Sequence, residues 1–280
     1  MTREETQFEL KAPAKVNLHL AVGQMRGDGY HPISSIFQKV DLFDSIYLCN
    51  IKDKEAKTFV LGLEEYVKQG ESTIDKAIFL WREFTGIKDS ILVKVKKNIP
   101  VQSGLGGGSS DAASVLLALN SLTRGSSAHL EENELIKLGA NVGCDVPFFL
   151  CNCAAAVVSG VGEVVSPIQA RSDLRGYIIV PTAEKISTKA AYEALNERKT
   201  IQLLERKNFL ETEYQKAFTT WNFRNDFELV NKRPKIEVLP EERLFLTGSG
   251  SAWVLLTNRE IQKWPAEPAE YGVFPVRFLG

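Results

Sequence analysis

Pro100-Val101-Gln102-Ser103-Gly104-Leu105-Gly106-Gly107-Gly108-Ser109-Ser110-Asp111-Ala112-Ala113 is the stretch on which the fold turns. Four of the five residues 104–108 are glycine, a density that helix and strand interiors carry only at a cost. Residues 91–95 (ILVKV) upstream read as a strand, and Ala112–Asn120 downstream as a strongly apolar helix. Ser109, Ser110 and Asp111 supply N-cap chemistry for that helix. A glycine loop between a strand and a helix start aims several backbone N–H groups at one point, where the helix macrodipole also favours negative charge. The chemistry indicated is binding of a polyphosphate. No lysine follows the last glycine, so the loop is not a Walker A motif, and no G-x-G-x-x-G occurs for a Rossmann site. Taken by itself, the loop also fits a strained structural turn.

Working outward, Val16, Leu18, Leu20 and Val22 alternate with Lys15, Asn17, His19 and Ala21, the pattern of a strand with one apolar and one polar face. A turn-rich loop, RGDGYHP, follows at 26–32, and residues 36–48 read as more strand. Ile74, Ala77, Ile78 and Trp81 are spaced for a helix over 72–84, with Ser72 or Thr73 as its cap. A second helix is expected over 131–139, ending near Gly139, then a Gly143-Cys-Asp-Val-Pro147 turn. Residues 154–158, 164–168, 177–180, 244–246, 252–256 and 273–278 read as strands, and 188–196, 200–208 and 226–231 as helical. A second glycine turn, Thr247-Gly-Ser-Gly-Ser251, leads into one of these strands. The elements mix without regular βαβα alternation, so the fold class is α+β. Two domains are expected, 1–163 and 164–280, with the boundary in the turn-rich stretch 160–167.

With 280 residues, 44% of them hydrophobic and 25% charged, the chain can bury two cores. Lys plus Arg is 34 and Asp plus Glu 35, a net charge of −1 that speaks against a general nucleic-acid binder or a polybasic membrane anchor. Four cysteines make no disulfide scaffold, and Cys144, Cys151 and Cys153 lack the paired spacing of a zinc site; His19, His31 and His129 are scattered. No metal-ligating residue is assigned. No G-x-S-x-G elbow is present. The polar start MTREETQFELK lacks a signal peptide's apolar stretch, and no apolar run reaches ~18 residues. The expectation is a cytoplasmic protein.

Three further places carry candidate chemistry. Lys15 and Asn17 share the polar face of the first strand, although lysine is usually exposed and Lys15 alone reads so. Asp145 enters the apolar run Pro147–Leu150, where a carboxylate needs a partner; a helix or turn cap is its ordinary reading. Tyr30 beside His31 can stack on and hydrogen-bond a flat base, or be a half-buried loop aromatic.

Three blocks in this order, Pro13-Ala-Lys-Val-Asn-Leu18 with Gly27-Asp-Gly-Tyr-His31, the glycine loop, and Gly143-Cys-Asp-Val-Pro147, resemble the GHMP small-molecule kinases. Asn225-Asp-Phe-Glu228 and Thr247-Gly-Ser-Gly250 resemble later blocks of that family more loosely. The resemblance implies a two-domain GHMP kinase fold. Its N-terminal ATP-binding, catalytic domain is ribosomal-protein-S5-domain-2-like with a left-handed βαβ unit. Its C-terminal, substrate-binding domain is ferredoxin-like, and the active site lies in the cleft between the two.

It further implies ATP with Mg2+, bound by the loop from Pro100 to Ser110, and catalytic Lys15 and Asp145, paired with each other. The form of the loop and the DGYH block place the chain among members that phosphorylate an alcohol carried on cytidine diphosphate, in isoprenoid precursor synthesis. Asn17, Tyr30, His31, Thr188 and Tyr192 then line the substrate pocket, with Tyr30 and Tyr192 on the two faces of the cytosine and His31 at its edge. Ser72 stands where the family often has an asparagine that helps read adenine. A monomer or weak homodimer without nucleic-acid or membrane partners is expected. Another GHMP kinase, or a catalytically silent nucleotide-binding homologue, are the alternatives.

Overall fold

The alternating apolar register seen at Val16–Val22 extends through a long strand, β1 (Glu5–Val22), and the next run becomes an equally long β2 (Ile33–Ile51) that pairs with it. These elements belong to a computed structural model that describes residues 5–182, 187–197, 223–260 and 270–280. The helical stretch expected at 200–208 lies outside the described residues. The chain forms two compact units that interleave along the sequence: 1–14, 43–101 and 106–152 make the first, and 15–42, 102–105 and 153–280 the second. The expected division at 163/164 is linear, whereas these units are not.

The first unit holds β3 (Thr58–Leu61), α1 (Thr73–Thr85), β4 (Ser90–Lys96), α2 (Gly107–Leu122), α3 (Glu132–Val142) and α4 (Val146–Leu150). Here β4 runs parallel to β3 and antiparallel to the end of β2, with Leu48 opposite Val93. Ser72 caps α1 through a capping box with Asp75, and Gly86 ends it in the left-handed conformation, φ 70°, with its N–H on the Arg82 carbonyl. Ile74, Ala77, Ile78 and Trp81 are buried, as their spacing predicts.

Two helix boundaries differ from expectation for identifiable reasons. First, α2 begins at Gly107, with Gly106 as its N-cap in the left-handed region, φ 72°, so Ser109, Ser110 and Asp111 lie inside the helix rather than capping it. Second, α3 runs through Gly139 to Val142 and is capped by Gly143. A Cβ on Gly139 would lie 2.3 Å from Leu150 Cδ1 and 3.0 Å from Val146 Cγ1. That glycine is there so that α4 can pack against α3, not to stop the helix.

The second unit holds β5 (Ala155–Gly160), β6 (Val164–Ile168), β7 (Arg175–Pro181), α5 (Thr188–Glu197), β8 (Arg243–Leu246), β9 (Trp253–Leu256) and β10 (Tyr271–Arg277). The first part of β2 pairs antiparallel with β5, and β5 with β6. A separate antiparallel sheet has the order β10-β7-β9-β8. A short 3-10 turn, Asp226–Leu229, takes the place of the helix expected at 226–231. Leu20 and Val22 of β1 share a core with Ile179, Leu195, Phe227, Leu246, Trp253 and Leu255.

Candidate active site

In the first unit the site begins at the start of α2. Ser110 N–H bonds the Gly106 carbonyl at 2.9 Å, so the N–H groups of Gly107, Gly108 and Ser109 have no carbonyl partner inside the helix. A glycine N-cap brings no side chain to satisfy them, and α2 has no side-chain cap bond. An uncapped helix start whose wall is bare backbone is a receptor for an anion. Its surroundings fix it in place: Thr73 Oγ1, at the start of α1, donates to the Gly108 carbonyl at 2.8 Å. The would-be Cβ of Gly107 would meet Ile99 Cγ2 at 3.1 Å and Lys97 Nζ at 3.2 Å.

Lys97 is held by two carboxylates, Asp44 and, at 2.8 Å, Asp111 in the first turns of α2. Burial pushes the Asp111 carboxyl up to about 7, against the pull of the Lys97 ammonium and with the Asp44 charge adding to the rise. Lys97 is itself raised: burial opposes its charge, and the two carboxylates outweigh burial.

Asp145 belongs to the Gly143–Pro147 turn of this unit. A Cβ on Gly143, two residues earlier, would come within 3.8 Å of Ser109 Oγ, so the Gly143–Pro147 turn lies against the start of α2. Lys76 Nζ holds the preceding helix end through the Val142 carbonyl at 3.2 Å. Asp145 occupies the N-cap position of α4, yet its side chain makes no cap bond there, so the ordinary reading as a helix cap fails. Ser72, besides capping α1, borders a cavity of about 90 Å³ lined also by Val60, Leu61, Val67 and Lys68.

In the second unit, Lys15 is only 3% exposed, which sets aside the ordinary surface lysine. Its Nζ donates to Asn17 Oδ1 at 2.6 Å and lies over the Phe37 ring, 4.4 Å from the centroid. Asn17 is buried, and its Oδ1 also accepts the Gly248 N–H at 2.9 Å. The first half of the glycine loop is fixed here: Lys15 N–H donates to the Leu105 carbonyl at 2.9 Å and Ala252 N–H to the Ser103 carbonyl at 3.1 Å. Gly104, at φ 81°, packs backbone on backbone, since a Cβ there would lie 2.7 Å from the Thr247 carbonyl. Gln102 also adopts a positive φ, 57°.

The pocket aromatics are arranged differently from the expected sandwich. Tyr30 is 57% exposed. The ring stacked on Tyr192 is His31, 5.1 Å away at 26°, and Phe227 packs edge-on against Tyr192 at 4.8 Å. His31 Nδ1 donates to the Gly23 carbonyl at 2.8 Å. Thr188, exposed at the start of α5, has Oγ1 3.1 Å from Ser249 Oγ.

Comparison with known proteins places this arrangement. The GHMP kinases N terminal domain model matches residues 66–153. A 4-diphosphocytidyl-2-C-methyl-D-erythritol kinase from Thermodesulfovibrio yellowstonii is 34% identical over 277 residues, 89% of this chain and 90% of the relative. The chain belongs to the 4-diphosphocytidyl-2-C-methyl-D-erythritol kinase family. Another relative of that name, from Caldicellulosiruptor saccharolyticus, is 40% identical over 189 residues, 67% of this chain and 62% of the relative's length. A crystal structure of 4-(cytidine 5'-diphospho)-2C-methyl-D-erythritol kinase is similar with a TM-score of 0.71 and 26% identity, covering 98% of this chain and 100% of that one. Homoserine kinase from Cytophaga hutchinsonii, with a TM-score of 0.64, 16% identity and coverage of 97% and 94%, shares the fold.

Within this kinase family member, sequence reasoning missed several residues that shape the site. Ser35, Thr247 and Asn225 carry no charge and sit in strand or turn patterns that read as scaffold. Asn225 and Thr247 are the more legible of them, because both lie in blocks that resembled the family. The Asn225 amide donates to the Leu246 and Gly248 carbonyls at 3.0 and 2.8 Å and so holds the second glycine turn. Lys97 follows the strand before the loop in a run of lysines, and only its two buried carboxylates distinguish it.

Proposed function

We propose that this chain transfers the γ-phosphoryl group of ATP to the C2 hydroxyl of 4-diphosphocytidyl-2-C-methyl-D-erythritol. The observation that carries the reading is the uncapped glycine start of α2 with the Asp145 turn laid against it. Phosphoryl transfer through a loose transition state asks the protein for positioning and charge neutralisation more than for covalent help. The three N–H groups of Gly107, Gly108 and Ser109 and the helix dipole receive phosphate oxygens. Asp145 orients the acceptor hydroxyl and takes its proton. Lys15 sets its positive charge toward the developing alkoxide and the transferred group.

Mg2+ supplies neutralisation of phosphate charge when bound. Among the described residues no group of three or more His, Cys, Asp or Glu can hold a metal ion, which fits a cation carried mainly by phosphate oxygens. Ser110 Oγ, buried in α2 without a hydrogen-bond partner, is one protein oxygen that would help hold Mg2+ there. No helix among the described residues is long and apolar enough to cross a membrane, and net charge is −1. We place the reaction in the cytoplasm, with a monomer or weak homodimer and no nucleic-acid or membrane partner.

The test is ADP release with four alcohols: the diphosphocytidyl compound, its uridine analogue, mevalonate and homoserine. The expected result is turnover of the cytidine compound with a far higher kcat/KM than any other. Phosphorylation of mevalonate or homoserine without turnover of the cytidine compound would overturn the reading.

A further inference from the structure

We infer that Ser35, on β2, is a positioning residue for the phosphoryl transfer, acting through Asn17 on Lys15. The inference rests on the catalytic reading of Lys15 given above. Ser35 is fully buried, and its hydroxyl makes two bonds: it accepts from Asn17 Nδ2 at 2.9 Å and donates to the His19 carbonyl. That second bond commits the hydroxyl proton to β1, so the oxygen presents its lone pairs to the amide. Asn17 Nδ2 therefore points at β2, and Oδ1 points the other way, to Lys15 Nζ at 2.6 Å and to Gly248 N–H at 2.9 Å. Thr247 clamps the same residue from its backbone side, with Oγ1 accepting the Asn17 N–H at 2.8 Å.

The amide is thus engaged on both edges, and its acceptor edge is spent on the ammonium and the glycine turn. This geometry makes Asn17 a holder of Lys15. It also explains why a neutral side chain is used. A carboxylate at 17 would present an acceptor to Lys15 but would have no N–H for Ser35, and its charge would compete with the substrate for the ammonium. Without the Ser35 oxygen, the amide N–H group is left buried and unpaired, and the side chain is held on its Oδ1 edge alone, by the Gly248 N–H and Lys15. A misplaced charge costs most where it is needed, in the transition state, so the loss falls on kcat.

The experiment is a double-mutant cycle on the whole chain, with steady-state kcat and KM for ATP and for the cytidine alcohol. Ser35→Ala is expected to lower kcat about ten- to a hundredfold while both KM values stay within about twofold. In a Lys15→Ala background the same substitution is expected to change kcat by less than about twofold, because the group it positions is gone. Ser35→Thr, which keeps the hydroxyl, restores most of kcat. Should Ser35→Ala not fold, as judged by loss of a cooperative thermal transition, Ser35→Cys replaces it in the same cycle. An equal loss of kcat in both backgrounds, or no loss in the wild-type background, overturns the positioning role alone. Unchanged kcat for Lys15→Ala by itself overturns the catalytic reading, and this inference with it.

Discussion

At the scale of single residues, the proposed reaction would give Lys15 and Asp145 opposite tasks, and each task predicts a different kinetic signature. A charge that matters most in the transition state leaves ground-state binding nearly intact when removed. Lys15→Ala is therefore expected to cut kcat by about 10²–10³-fold, the scale of a lost electrostatic stabiliser, with a smaller change in the KM for ATP. A raised KM with unchanged kcat would make Lys15 a phosphate anchor instead. Asp145→Asn, which keeps the size and shape of the side chain, is expected to stay folded and to lose about 10²–10⁴-fold in kcat. Wild-type turnover by the folded variant would remove Asp145 from the chemistry.

Both residues were legible only through the family resemblance. The alternation around Lys15 and the apolar run after Asp145 single out neither, and burial at 3% and the missing cap bond were not visible in sequence. The stacking of His31 on Tyr192 was illegible, because a contact between residues 31 and 192 depends on where α5 packs. Local sequence gives no register between elements so far apart.

At the scale of an element, α2 shows how a strained start is held. Lys97 faces two buried carboxyl groups, Asp44 and Asp111, so one ammonium is shared between two acids. Burial lifts the Asp111 carboxyl from its ordinary 3.8 to about 7. A carboxyl that binds its proton more tightly in the folded chain than in the unfolded one makes stability fall as pH rises. The fall starts near the unfolded value, about 4, and levels off above about 7. Asp111→Asn removes that slope and leaves Lys97 paired with Asp44. Its Tm relative to wild type is therefore expected to climb between pH 5 and pH 8, by roughly 2–4 °C for each kcal/mol regained. Parallel Tm–pH curves for the two proteins would show that Asp111 does not titrate differently on folding.

The start of α2 was misjudged from sequence because Ser-Ser-Asp is ordinary capping chemistry. Gly106 at positive φ takes the N-cap position instead, without a side chain to cap the helix, and the serines lie in its interior. Gly139 misled in the opposite sense, since a glycine needed for close packing against Leu150 looks like a helix stop.

At the scale of the whole molecule, most strand and helix types followed from sequence pattern, but β3, α4 and the 3-10 turn at Asp226–Leu229 did not, nor did the grouping of elements. A boundary in a turn-rich stretch at 160–167 is what composition offers, and it divides the chain once. The contacts divide it at 14/15, 42/43, 101/102, 105/106 and 152/153, because β1 and β2 are long enough to serve both units. Long strands hide this, since alternation continues unbroken across the change of unit.

The consequence can be measured on separately expressed segments 1–163 and 164–280. The core around Phe227, Leu246 and Trp253 includes Leu20 and Val22 from β1. Val22 N–H also donates to Asp226 Oδ2 at 2.7 Å, and Leu20 N–H to the Arg224 carbonyl at 2.8 Å. Removing residues 1–163 strips both side chains from that core, a loss of about 3–6 kcal/mol at roughly 1.5–3 kcal/mol for each buried side chain. Net stabilities of whole domains are only about 5–15 kcal/mol, so the remainder has little margin. The reverse loss strikes 1–163, where Asn17 and Gly104 would face no Thr247–Gly248 turn. Segment 164–280 is therefore expected to show no cooperative thermal transition alone, whereas the full chain does. A sharp transition and dispersed amide resonances for isolated 164–280 would establish the linear division and refute the interleaved one.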